Sequence, residues 1–136
     1  MKRNAYALLV HERLEPCQTL KSVLRRLGVD TFSVSSFAEA AHLLEQTHPH
    51  LLFTDTELPD GTWIDLVTLA QNAPISICAI LVGSSADPEL RQTAVNYGAF
   101  DFLSPPFDAA EVSQLVSEAM VQVRARRERR SRAAVA

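Results

Sequence analysis

Five short apolar runs, each followed by an amphipathic stretch, constrain this 136-residue chain more than any other feature. The runs are Ala5 to Val10, Thr31 to Ser35, Leu51 to Thr54 ending in Asp55, Ile75 to Val82, and Phe100 to Leu103. Runs this short and bounded by turn residues read as strands. The fourth is apolar and β-branched, as suits a strand covered on both faces. Thr31 to Ser35 alternates instead, which suits a half-exposed strand at a sheet edge.

The intervening stretches read as helices with recognisable ends. Leu20, Val23, Leu24 and Leu27 recur at helical spacing, and Gly28 closes that helix. Ser36 and Glu39 have the spacing of a capping box. Thr62 can cap a third helix carrying Ile64, Leu66, Val67 and Leu69. Asp87-Pro88 gives a capping carboxylate and a proline at the first helical position, and Gly98 ends that fourth helix. The last helix opens at Asp108 and Glu111 and carries Val112, Leu115, Val116, Ala119, Met120 and Val123 on one face.

The resulting βαβαβαβαβα order implies a parallel sheet with helices on both faces. In such folds the working crevice lies beyond the carboxyl ends of the strands. The residues that would gather there are His11, Glu12, Asp55, the Gly83-Ser84-Ser85 segment and Ser104-Pro105. Glu12 and Asp55 would repel each other unless a cation sits between them. Mg²⁺ suits such a place, because it takes a few carboxylate oxygens and keeps several waters.

Composition excludes several classes. Hydrophobic residues make up 47% and charged residues 21%, so a packed core is expected and disorder is not. No apolar run is long enough to span a bilayer, and no signal peptide follows Met1-Lys2-Arg3, so the expected location is cytoplasmic. Cys17 and Cys78 make no framework of bridges. The net charge of −3 conceals a basic tail of six arginines and one glutamate after Val121. A short basic tail on an acidic body is not by itself a nucleic-acid footprint. His48-Pro49-His50 has no further ligand at metal spacing and is read as a loop.

Two segments carry a resemblance. Leu51-Leu52-Phe53-Thr54-Asp55 with Thr56-Glu57-Leu58-Pro59-Asp60-Gly61 is similar to the acceptor strand and proline turn of response-regulator receiver domains. Asn96-Tyr97-Gly98-Ala99-Phe100-Asp101-Phe102-Leu103-Ser104-Pro105-Pro106-Phe107 resembles the segment that closes their active site. The likeness extends from Tyr6 to about Val123. It implies a flavodoxin-like doubly wound (βα)5 fold with strand order 2-1-3-4-5. It divides the chain into a receiver at 1–123 and a basic helical extension or linker at 124–136.

The resemblance also implies roles. Asp55 would accept a phosphoryl group from a sensor histidine kinase or phosphotransfer protein, as part of a signalling module rather than a free-standing enzyme. Mg²⁺ would be held by Asp55, the acidic-pair position and the backbone carbonyl of Glu57. Three departures follow. The acidic pair reads His11-Glu12, and an imidazole is a poor magnesium ligand, so binding should be weak. The phosphoryl-contacting hydroxyl falls at Gly83, or at Ser84 if the register shifts by one. The lysine position is Pro105, which offers neither charge nor amide donor. The switch aromatic is Phe102, free to turn inward or outward.

Further expectations are a cis bond between Pro105 and Pro106 and a partly exposed Trp63 narrowing the mouth of the site. The contact face, for a twin subunit or a partner, is expected on the fourth helix, fifth strand and last helix. An output domain would follow the C-terminus. The competing readings are a phosphorylation-independent interaction module and, more remotely, a flavin- or nucleotide-binding protein of the same topology. The second would need a glycine- and hydroxyl-rich loop where His11-Glu12-Arg13-Leu14-Glu15-Pro16 stands.

Overall fold

A computed structural model describes residues 5–11, 15–83, 88–104 and 107–135 of the chain. Glu12, Ser84, Asp87 and the Pro105-Pro106 bond lie outside the described residues. Among the described residues, seven strands and five helices form, in the order β1 (Ala5–Val10), α1 (Glu15–Arg26), β2 (Val29–Val34), α2 (Phe37–Thr47), β3 (Leu51–Asp55), β4 (Glu57–Leu58), β5 (Gly61–Thr62), α3 (Trp63–Gln71), β6 (Cys78–Val82), α4 (Pro88–Asn96), β7 (Asp101–Leu103) and α5 (Ala109–Val135).

The main sheet is five-stranded and parallel, ordered β2-β1-β3-β6-β7. Counting only its own strands, this is the expected 2-1-3-4-5 order. Burial explains the placement. β1, β3 and β6 are almost wholly apolar and sit in the middle, covered on both sides. Alternate residues of these strands feed two cores. Leu9, Leu51, Phe53 and Ile80 pack with α1 and α5, while Leu8, Leu52 and Leu81 pack with α2, α3 and α4. The alternating β2 lies at an edge, where Phe32 is exposed.

The helix ends follow the caps read from sequence. The Ser36 hydroxyl accepts from the amide of Glu39, and Thr62 accepts from Asp65. Gly28 and Gly98 have φ of +77° and +108°, which only glycine adopts readily, so α1 and α4 end there. The fourth apolar run is a strand only from Cys78. Ile75 to Ile77 form its approach, and the backbone carbonyl of Ser76 turns to a side chain instead of a neighbouring strand.

That side chain is Arg127, on the part of α5 that runs beyond the sheet. Its guanidinium donates to the carbonyls of Ser76 (2.9 Å), Pro49 (2.8 Å) and His48 (3.1 Å). It also lies 3.3 Å from Nε2 of His50. Arg127 therefore gathers loose carbonyls at the amino ends of β3 and β6. His48-Pro49-His50 is thus a docking point for α5. Burial, then Arg127, then Arg124, lower the pKa of His50 to about 4, which keeps it neutral.

Two outcomes are expected. Arg127→Ala should lower stability by about 2–3 kcal/mol in urea unfolding, since it removes several charge-assisted bonds to carbonyls. His50 binds a proton below its ordinary pKa of 6.5 in the unfolded chain, but only below about 4 when folded. Its contribution is thus complete above pH 6.5 and falls away as pH drops toward 4. Because His50 is only half-buried, roughly 1–2 kcal/mol is expected after solvent screening. Comparison of wild type with His50→Asn across that range measures it.

Candidate functional site at the carboxyl ends of the strands

Register brings the described residues of the expected site to one end of the sheet. Val10 lies beside Thr54, Asp55 beside Val82, and Val82 beside Leu103. Asp55, the last residue of β3, therefore stands between His11, just past β1, and Gly83, just past β6. Ser104 lies one strand further on.

Asp55 is half-buried. Its Oδ1 accepts from the Thr56 amide at 2.7 Å and from the Thr56 hydroxyl at 3.5 Å. No bond to its Oδ2 is found among the described residues, which leaves that oxygen for chemistry. His11 is buried, and its amide extends the sheet by donating to Val34 at 3.0 Å. The side chain of Glu57 is exposed. Among the described residues, no group of three His, Cys, Asp or Glu side chains is placed to hold a metal ion. The described carboxylates alone do not make a magnesium site.

The segment after Asp55 is a small antiparallel hairpin, β4 with β5, and it is fastened down. Asp60 at its tip accepts from the amides of Phe37 (2.6 Å) and Ala38 (3.0 Å), the first residues of α2. These bonds hold the Asp60 carboxyl below its ordinary pKa. Together with Ser36, Asp60 satisfies three amides that a helix start leaves orphaned. Phe37 also packs onto Gly61, where a Cβ would lie 2.7 Å from Cγ of the ring. Sequence reading treated Asp60 as a turn residue. Its partner lies 23 positions away, and local spacing carries no sign of it.

The most informative contact is between Gly83 and Phe102. A Cβ at Gly83 would lie 2.5 Å from Cζ and 2.8 Å from Cε2 of the Phe102 ring, and 3.4 Å from Cγ2 of Thr56. Real Cβ atoms do not approach so closely, so the ring occupies space that any side chain at position 83 would claim. Phe102 is buried, facing the core under α4. Of the two orientations open to it in the sequence reading, the structure holds the inward one.

Trp63 corrects another expectation. It is buried rather than partly exposed, and its ring meets Tyr97 edge-on at 5.9 Å. As the first residue of α3 it faces the core and does not narrow the mouth of the site. Tyr97 is the exposed partner.

The model of the response regulator receiver domain matches residues 7–117. The chain belongs to this family. It is 32% identical over 114 residues to the response regulator protein PilR of Pseudomonas aeruginosa, covering 84% of this chain and 26% of PilR. It is 25% identical over 113 residues to the regulatory protein AtoC of Escherichia coli, covering 83% of this chain and 24% of AtoC. The receiver thus spans about a quarter of these relatives.

The signal receiver domain of a putative Luxo repressor protein from Vibrio parahaemolyticus superposes with a TM-score of 0.81 at 22% identity. It covers 90% of this chain and 94% of that one. NtrX from Brucella abortus gives 0.81 at 20% identity, over 93% of this chain and 29% of that one. These structures agree on the fold. No described helix of the receiver is long and apolar enough to cross a membrane.

The Gly83 contact predicts a steric effect. Gly83→Thr should destabilise the receiver by about 1–3 kcal/mol through overpacking. In a double-mutant cycle measured by urea unfolding, Phe102→Ala should remove most of that cost. Additive effects would show that the ring and position 83 do not compete for space.

Proposed function

We propose that this receiver takes a phosphoryl group at Asp55 only slowly, and that its switch aromatic is already set inward by the absence of a side chain at Gly83. The observation that carries the reading is the Phe102 ring lying on the Cα of Gly83. In this reading Gly83 is the position where other receivers carry the phosphoryl-binding hydroxyl. Its loss removes a donor and opens room for the ring in one substitution.

Receiver domains as a family take part in phosphorelay and interact with histidine kinases and output domains. Transfer at Asp55 would proceed by attack of Oδ2 on the phosphorus of a kinase phosphohistidine. The P–N bond breaks, its electron pair leaves on the imidazole, and an acyl phosphate forms. The product brings nearly two negative charges to the crevice. Receiver domains typically bind Mg²⁺ for this step, and Asp55, Glu12 and the carbonyl of Glu57 are the groups that would hold it here, weakly. The lysine position is Pro105, and the chain's two lysines, Lys2 and Lys21, lie in the first two dozen residues. Loss of one positioned donor typically costs about 10²–10³ in rate.

The proposed output surface is the face of α4, β7 and α5. Arg91 on α4 bridges to Asp101 on β7 at 2.9 Å, beside a groove of about 490 Å³. Leu103, Phe107 and Leu115 give this groove an apolar floor, and Glu111 and Glu118 an acidic wall. Because Phe102 also lines it, an inward ring fixes its shape before any phosphorylation. A ligand shifts a two-state equilibrium only by its differential interaction with the two states. With the ring already inward, little difference remains for phosphate to exploit.

The test treats wild type and Asp55→Asn with acetyl phosphate and Mg²⁺, followed by intact mass and amide NMR. Labelling confined to wild type is expected. The rate should lie about 10²–10³ below that of a receiver with the lysine, with small shifts around Phe102. Rapid, stoichiometric labelling with large shifts at Phe102 would overturn the reading.

A further inference from the structure

The arginines of α5 are more numerous than their structural duties require. Past Val123 the inward face of this helix changes from apolar to cationic. Arg126, Arg127 and Arg130 continue the stripe of Val112, Val116, Ala119 and Val123 at helical spacing. Arg127 and Arg130 each have carbonyl partners, Arg130 reaching that of Ala73 at 3.1 Å. For Arg126 and Arg129 no hydrogen bond or ion pair is found among the described residues. The only ion pair among those residues is Arg91 with Asp101, on another face.

Three of these arginines, all exposed, border one hollow. Arg126, Arg129 and Arg130 line one wall of a cavity of about 300 Å³, opposite the end of α3 and the segment that leads into β6. A second hollow of about 370 Å³ shares Gln71, Ile77 and Arg126 with the first. Its other walls include Val95 and Phe100. No carboxylate lines either hollow, although the part of the chain before Val121 carries a net −8. The end of α3 favours a cation nearby, and Arg130 meets that need. Arg126 and Arg129 on the same wall repel one another weakly, and an anion between them would relieve that repulsion.

We propose that this cavity, at the amino ends of the strands and opposite Asp55, binds a compact phosphate-bearing anion. Guanidinium groups suit phosphate oxygens because their paired N–H groups match them two at a time. A concave cationic wall with apolar space beside it fits a small molecule better than an extended nucleic-acid backbone, which favours a basic stripe. The lowered pKa of His50 nearby has Arg127 and Arg124 among its causes, consistent with a positive field at this end.

The experiment titrates Asp55→Asn protein, whose acceptor carboxylate is absent, with pyrophosphate, with ATP and with a short single-stranded DNA. Sodium chloride holds ionic strength constant. Amide NMR at Ser76, Ile77 and Arg126 is the readout. Saturable shifts at those amides with pyrophosphate or ATP are expected, weakened at least tenfold in Arg126→Ala/Arg129→Ala. Arg126→Lys/Arg129→Lys, which keeps the charge and removes the paired geometry, should bind at an intermediate level. Neither arginine makes a bond that folding depends on, and the lysine pair guards against a folding defect. Absence of shifts at millimolar pyrophosphate and ATP would overturn the proposal. So would equal binding by the alanine variant, or binding of the DNA alone.

Discussion

Two-sided burial of β1, β3 and β6 is the constraint from which the rest follows. Leu8, Leu9, Leu51, Leu52, Ile80 and Leu81 are fully shielded, so each central strand must have helices on both faces. Parallel strands demand crossovers, and the helices supply them. The crossovers bring every carboxyl end to one rim, where Asp55 stands between His11 and Gly83. A slip of one residue in any central strand would exchange its two apolar sets between the cores. Placement of Asp55 is therefore fixed by hydrophobic packing rather than by any interaction of its own.

How much of this was legible in the sequence depended on the range of the interaction. Apolar periodicity and caps are local, so the order of the elements and the sheet were readable. The hydroxyls of Ser36 and Thr62 each bind an amide three residues on, and those caps could be read directly. Contacts across the fold left no local trace. Arg127 meets carbonyls 51 to 79 positions away, so in the sequence a clamp on the base of the sheet reads only as part of a basic helical extension. The same clamp explains the fourth run. Ile75 to Ile77 are apolar enough for a strand, but the Ser76 carbonyl is taken by Arg127 and pairing begins at Cys78. Trp63 was misplaced because a residue that follows a turn can still face the core as soon as a helix begins there.

Position 83 shows why a missing group and a new contact must be weighed together. If Gly83 is the phosphoryl-contact position, the sequence registers only a missing hydroxyl, which argues for weaker phosphoryl binding and nothing more. The structure adds that the Phe102 ring occupies the space a side chain at position 83 would need. An interior leaves few voids, so removing one side chain invites the nearest mobile ring into the gap. In this proposed reading, acceptor chemistry and the state of the α4–β7–α5 face are weakened and fixed by the same residue. In that reading, a receiver that keeps Asp55 while its aromatic rests inward would signal chiefly through its resting shape.

Charge along α5 has a similar double origin. Glu111 stands in its first turn, and Arg124, Arg126, Arg127, Arg129 and Arg130 crowd its later half. This polarity complements the helix dipole, and that accounts for part of the pattern without any ligand. The dipole acts only near a terminus, and it does not select a helix face. It therefore does not explain why Arg126, Arg129 and Arg130 share one wall of one cavity. Nor do the neighbouring carbonyls, since those bonded are held by Arg127 and Arg130. After both contributions are subtracted, Arg126 and Arg129 remain without a countercharge from the described fold. In the proposed site, a bound anion would supply one.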